Sequence, residues 1–111
     1  MFPEHDEIDF LEWVNMIMID RHGFRADRKL DEVVVMPVKW RTEKLRRVKR
    51  TVMDTFKPRR PNEPVIVLHG VKGDYLLDGN RRINTWVRDG DNELHGVWLV
   101  CPVYRVGGGS E

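Results

Sequence analysis

The continuous apolar run at residues 65–68 constrains the fold more than any other feature of this chain. All four residues are Val, Ile or Leu, with no polar residue between them. Such a run is typical of a strand that buries side chains on both of its faces. Pro64 precedes the run, and a turn at residues 70–73, with glycine at both ends, leads into a second apolar stretch at residues 75–77. The sequence therefore predicts two neighbouring strands, the first of which is buried on both faces.

Two further strands are predicted, one on each side of this pair in the sequence. Residues 33–36 are Val-Val-Val-Met and are followed by Pro37, which indicates a short strand closed by the proline. Residues 97–106 form the last apolar run, and Pro102 within it predicts an edge strand or a bulge.

Apolar residues at helical spacing predict an amphipathic helix over residues 42–57 and another around residues 83–87, packed on the sheet. The chain of 111 residues has the usual size of one domain. The predicted fold class is α/β (α+β), a small mixed sheet with flanking helices.

An additional helix is predicted over residues 6–21, with apolar residues around nearly its whole circumference. Such a helix must be buried on more than one side, so we expect either ordinary core packing or a contact with a second copy or a protein partner. The predicted organisation is a helical extension at residues 1–30, the main domain at 31–106 and a flexible tail at 107–111.

Charge is segregated along the chain although the formal net charge is only +1. Residues 1–20 hold six acidic residues and no Lys or Arg, whereas residues 39–60 hold ten basic residues and two acidic ones. This pattern is typical of a chain with an anionic partner, and it is also found on a solvated helix face. We expect Arg46, Arg50 and Lys57 to contact a nucleic-acid backbone if the basic segment binds one.

The chemistry is concentrated in the five residues that follow the second strand: Asp78, Gly79, Asn80, Arg81 and Arg82. Glycine permits a tight turn, and the helix that follows points its free N–H groups at that turn. Two arginines in a helix's first turn are unfavourable unless an anion lies nearby, which predicts a phosphate site. Ion pairing with nearby aspartates is the alternative. Asp78 is expected to cap the helix, with a Mg²⁺ site or a catalytic base as the other possibilities.

The stretch over residues 33–106 resembles the ParB N-terminal domain, of the ParB/sulfiredoxin type. The resemblance rests on the strand opened by Pro64 and on the Gly-Asn-Arg-Arg box at residues 79–82. It implies that Gly79, Arg81 and Arg82 contact nucleotide phosphates and that Asn80 contributes a backbone contact. It also implies a base-side motif, which here comprises Asn62, Glu63 and Pro64, and a nucleotide triphosphate with Mg²⁺ as ligand.

Three departures limit this resemblance. Thr85 stands where the family has a small residue, and Trp86 is bulkier than expected. Asn80 occupies the position of the catalytic cysteine of sulfiredoxin, so that chemistry is not expected. A partitioning ParB also has DNA-binding and dimerisation domains, for which residues 107–111 leave no room, so a sliding DNA clamp is not expected.

Three functions follow from these features. The first is a stand-alone nucleotide- or phosphate-binding domain, with phosphoryl transfer or nucleotide hydrolysis left open. The second is a nucleic-acid-binding or nuclease-like protein, and the third is an interaction module that binds a partner through residues 6–21. The single cysteine, Cys101, and the absence of a long apolar run predict a cytoplasmic protein without a membrane span.

Overall fold

The computed structural model describes residues 7–50 and 62–103, which form three α-helices, one short 3₁₀ helix and four strands. The helices are α1 (Glu7–His22), α2 (Thr42–Leu45) and α3 (Asn80–Arg88), and the 3₁₀ helix spans Ala26–Arg28. The strands are β1 (Val33–Arg41), β2 (Val65–Gly70), β3 (Gly73–Asp78) and β4 (Leu94–Pro102). The predicted fold class, a small mixed sheet with flanking helices, is confirmed.

The four strands form one sheet in the order β1-β4-β2-β3. β2 runs parallel to β4, whereas β1–β4 and β2–β3 are antiparallel pairs. Residues 65–68 of β2 are all buried, so the prediction of an inner strand covered on both faces is confirmed.

Side chains that alternate along β2 explain why its apolar run is continuous. Ile66 and Leu68 share one core with the buried residues of α1, namely Val14, Ile17 and Met18. Val65 and Val67 point to the opposite face, where they share a second core with residues of α2 and α3, including Leu45 and Ile83. Helices therefore cover both faces of the sheet, and β2 contributes to both cores.

The predicted end of the first strand at Pro37 is wrong, because β1 continues to Arg41. β1 is an edge strand, and Val103 N donates to Glu32 O at 3.1 Å. In an antiparallel ladder this places the backbone groups of even-numbered β1 residues toward β4. The Pro37 nitrogen consequently faces the open edge, where no hydrogen bond is lost.

The prediction that Pro102 marks an edge strand or a bulge is also wrong, since β4 is an inner strand. Pro102 is its last residue, and the pairing of β4 with β2 ends at Val100 opposite Leu68. The proline therefore lies beyond the part of β4 that must donate to β2.

α1 confirms the helix predicted over residues 6–21, with the observed bounds Glu7–His22. One side packs on the sheet, while the Met16 side chain is 49% exposed. Buried Asn15 holds the following loop, since its amide accepts from Leu30 N at 2.8 Å and donates to Leu30 O at 3.1 Å. Contact of this helix with a partner or second copy stays a prediction. No helix in the described ranges is long and apolar enough to cross a membrane.

The amphipathic helix predicted over residues 42–57 is wrong in extent, because α2 ends at Leu45. Leu45 and Val48 are buried as the pattern predicted, but the chain then leaves the helix to pair with β3. Lys49 N donates to Asp74 O at 2.8 Å, and Leu76 N donates to Lys49 O at 2.9 Å. These bonds satisfy an open strand edge, which a continued helix would leave unpaired. Residues 51–61, with Lys57, and the predicted tail at 107–111 lie outside the described residues.

Candidate anion-binding site

The turn between β3 and α3 requires glycine for two separate reasons. Gly79 has φ 112°, a conformation that residues with a Cβ adopt only with strain. A Cβ at this position would lie 2.5 Å from Val65 Cγ1, closer than two carbon atoms can approach. The predicted need for glycine in the turn is confirmed, and the nearest neighbour is the β2 side chain.

Arg82 is buried and directed into the protein. Its Nη1 donates to the carbonyl oxygens of Glu63 at 2.5 Å and Pro64 at 2.7 Å, and its Nη2 donates to Asp78 Oδ2 at 3.0 Å. The guanidinium thus joins the entrance of β2 to the end of β3 and the first turn of α3. This geometry does not support the predicted direct contact between Arg82 and a phosphate, because the side chain is only 7% exposed and its charge is paired with Asp78.

Asp78 does not cap α3, so that interpretation is wrong. The N-cap residue is Gly79, which has no side chain that could form a capping hydrogen bond. The Asp78 carboxylate accepts from Arg82 and is 53% exposed. Within residues 7–50 and 62–103, no three His, Cys, Asp or Glu side chains are grouped to hold a metal ion. A role for Asp78 as a base or Mg²⁺ ligand stays a prediction.

The predicted base-side residues lie next to this turn. Asn62 is exposed, whereas Glu63 and Pro64 are half-buried directly before β2. Two of these residues supply the carbonyl oxygens that bind Arg82. The structure therefore brings the base-side motif and the Gly-Asn-Arg-Arg box into contact, although they are separated by 15 or more residues in the sequence.

The Arg50 side chain reaches the start of α3 from the segment after α2. Its Nη1 donates to Asn80 Oδ1 at 2.9 Å and also makes a short hydrogen bond to Asn84 Oδ1. Asn80 and Asn84 are one helical turn apart and lie on the same side of α3. The sequence predicted a nucleic-acid backbone contact for Arg50 and gave no indication of its contact with α3. The spacing of the two asparagines is the local signal that was available.

The charge of Arg50 is poorly compensated. Burial lowers the pKa of its guanidinium from the ordinary value, and repulsion from Arg46 lowers it further. Its hydrogen-bond acceptors are two neutral amides, and no carboxylate in the described part of the chain forms an ion pair with it. The positive end of the α3 dipole adds to the same potential. An anion placed here would gain from all of these contributions.

The remaining predicted residues surround this position. Arg46 is close enough to influence Arg50 electrostatically, and its own guanidinium lies 3.8 Å from the Glu43 carboxylate. Arg81 is half-buried in the first turn of α3. The Thr85 hydroxyl donates to the Arg81 carbonyl at 2.9 Å, so this departure from the family pattern is accommodated inside the helix. We define Arg50, Asn80, Asn84 and the N-terminal turn of α3 as the anion site.

Comparisons of this chain with protein-family models, curated proteins and solved structures found no match. The resemblance to the ParB N-terminal domain therefore stays a prediction that rests on the motif itself.

Proposed function

We propose that this protein binds a nucleotide through its phosphates at the anion site. The observation that carries the proposal is the half-buried Arg50 guanidinium, which lies against the first turn of α3 with neutral amides as its acceptors. A partly desolvated cation without a carboxylate partner is unfavourable in the free protein. Binding of a phosphate would supply a negative charge that no carboxylate in residues 7–50 and 62–103 supplies to Arg50.

The anion site also has donors available for a ligand. Both hydrogen bonds of Arg50 use Nη1, so Nη2 and Nε are the atoms that would approach a phosphate. The positive end of the α3 dipole adds its attraction for a phosphate. Two charge-assisted hydrogen bonds and the helix end together give roughly 4–7 kcal/mol, which corresponds to dissociation constants from about millimolar to about ten micromolar.

A nucleotide is favoured over a simple phosphate by the neighbourhood of the anion site. The strand entrance at residues 62–64 is joined to α3 through Arg82, so a ligand with phosphates at Arg50 has protein surface close by for its base. The resemblance to the ParB N-terminal domain supports the same ligand class. The proposal includes a Mg²⁺ ion bound at Asp78. Phosphoryl transfer or nucleotide hydrolysis is a further hypothesis.

Titration calorimetry with ATP, CTP and GTP, each with and without Mg²⁺, tests the proposal. We expect at least one nucleotide to bind, and Arg50→Ala to weaken that binding roughly ten- to a hundred-fold through the lost charge-assisted bonds. Arg88→Ala is the matched control, because Arg88 lies at the other end of α3 and is 54% exposed.

Two results would contradict the proposal. One is the absence of binding by all three nucleotides at millimolar concentration in protein shown to be folded. The other is binding that Arg50→Ala leaves unchanged, which would place the ligand elsewhere.

A further inference from the structure

A separate groove lies between the end of β1 and α2. It has a volume of about 760 Å³, and its lining includes four cations and one large aromatic ring. The cations are Lys39, Arg41, Lys44 and Arg47, and the aromatic residue is Trp40. No residue of the anion site is among those that line this groove, so its ligand is a separate question.

The groove keeps an excess of positive charge after its internal ion pairs are counted. Two carboxylates line it, those of Glu43 and Asp74. Glu43 accepts from Arg47 at 2.8 Å and also lies 3.8 Å from Arg46, which is outside the groove. Asp74 accepts from His69 at 2.8 Å. Three of the four cations therefore have no carboxylate partner among the lining residues, and this favours an anionic occupant.

Trp40 gives the groove a surface on which a base can stack. The indole is half-buried, and Lys44 Nζ lies 4.1 Å from its ring centroid. An aromatic ring beside several cations is the combination by which proteins hold unpaired nucleotides, with phosphates on the cations and a base on the ring. A duplex would offer phosphates but no free base, and an acidic peptide would offer carboxylates only.

We infer that this groove binds single-stranded nucleic acid. Phosphates lie along Lys39, Arg41, Lys44 and Arg47, and one base lies against Trp40 in place of the Lys44 ammonium group. The sequence predicted nucleic-acid backbone contacts at Arg46, Arg50 and Lys57, whereas the contacts proposed here are made by the residues that line the groove. It is independent of the nucleotide proposal, because the two sites share no residue.

Fluorescence anisotropy with a labelled oligothymidylate of about 20 nucleotides tests the inference. If four phosphates are neutralised, the logarithm of affinity falls with the logarithm of salt at a slope of about −3, which is roughly a fifty-fold loss between 50 and 200 mM salt. The double variant Lys44→Ala with Arg47→Ala should halve the slope, so that the same change of salt costs roughly sevenfold. Both side chains are exposed, so this variant is expected to fold.

Two further variants distinguish binding in the groove from a general attraction between the protein and polyanions. The double variant Arg25→Ala with Arg88→Ala removes the same charge from exposed positions outside the groove and should leave the slope unchanged. Trp40→Leu keeps an apolar side chain and should weaken binding by about tenfold at every salt concentration, because stacking is not a counterion effect.

Several outcomes would overturn the inference. They are no binding at low salt, an unchanged slope in the Lys44 and Arg47 double variant, or equally tight binding of a duplex of the same length. Competition by poly-glutamate as effective as that by unlabelled oligonucleotide would also overturn it in favour of an acidic peptide partner. Calorimetry with free nucleotide is a separate readout, so failure here is distinguishable from failure at the anion site.

Discussion

Two arginines lie at the first turn of α3, and the compensation of their charges differs. Arg82 lies inside, where it donates to two main-chain carbonyls and pairs with Asp78. Arg50 comes from the segment after α2, and its acceptors within the described residues are the amide oxygens of Asn80 and Asn84. Among the residues that the structure describes, a carboxylate balances the charge of the inner guanidinium, whereas none balances the charge of the outer one.

This difference separates a structural arginine from a candidate ligand-binding one. A buried guanidinium with a carboxylate and satisfied donors holds chain segments together, and its removal leaves acceptors unpaired. A half-buried guanidinium next to neutral amides stabilises the free protein little and is available to an anion. The motif alone assigned the phosphate to Arg81 and Arg82, but charge compensation favours Arg50.

The largest expected effect on the free energy of unfolding comes from Gly79, because the contacts of both arginines depend on the turn at this residue. Gly79→Ala should lower the free energy of unfolding by about 4 kcal/mol, from backbone strain and from the overlap with Val65. Gly90→Ala is the matched control, since Gly90 also has positive φ, 71°, but a Cβ there meets no atom within 4 Å. Urea denaturation of both variants measures the difference, and equal losses would show that the contact with Val65 contributes nothing.

The next effect distinguishes the inner arginine. Arg82→Ala should lower the free energy of unfolding by about 3 kcal/mol, because it leaves two carbonyl oxygens and the Asp78 carboxylate without their donor. Arg88→Ala, at the exposed end of the same helix, should change it by less than about 0.5 kcal/mol. If Arg82→Ala were as stable as wild type, the structural role assigned to Arg82 would be wrong.

Removing the charge of the outer arginine, Arg50, should have little effect on the free energy of unfolding or increase it. Arg50→Met keeps the apolar stem and removes a charge that lacks a carboxylate partner, so the free energy of unfolding should change by less than about 1 kcal/mol or increase slightly. Thermal and urea unfolding check this change. A loss as large as that of Arg82→Ala would place Arg50 among the structural residues and weaken the proposed anion site.

The smallest effect concerns a carboxylate near the far end of α3. Hydrogen bonding from Glu93 N, followed by Thr42 and His95, holds the pKa of Asp91 below its ordinary value of 3.8. A lowered pKa in the folded state means that the charge stabilises the fold above that ordinary value, and that this contribution is lost as the pH falls through the folded pKa. The stability difference between wild type and Asp91→Asn should therefore begin to shrink below about pH 4 and disappear once the pH is below the folded-state pKa. A difference that is unchanged by pH would assign the effect to hydrogen bonding alone.

The sequence was sufficient for the elements whose signals are local. Residues 65–68 predict β2 from their continuous apolar character, and the observed strand is buried on both faces. The spacing around residues 83–87 predicts α3, and the observed helix spans Asn80–Arg88. The turn at Gly79 is predicted because a strand, a glycine and a helix follow one another directly in the sequence. The positive φ of Gly79 confirms that glycine is required there.

The features that only the tertiary structure decided depend on contacts between residues that are distant in the sequence. The helix after Arg41 stops at Leu45 because the Lys49 backbone pairs with the open edge of β3. The residues at 42–57 do not by themselves indicate that such an edge is present. Arg82 finds its carbonyls 18 and 19 residues away, and Arg50 finds its asparagines 30 and 34 residues away. Periodicity and turn chemistry are properties of neighbouring residues, so they determine strands, helices and glycines. Compensation of a buried charge is a property of all the groups that surround it, so it is fixed only when the chain has folded.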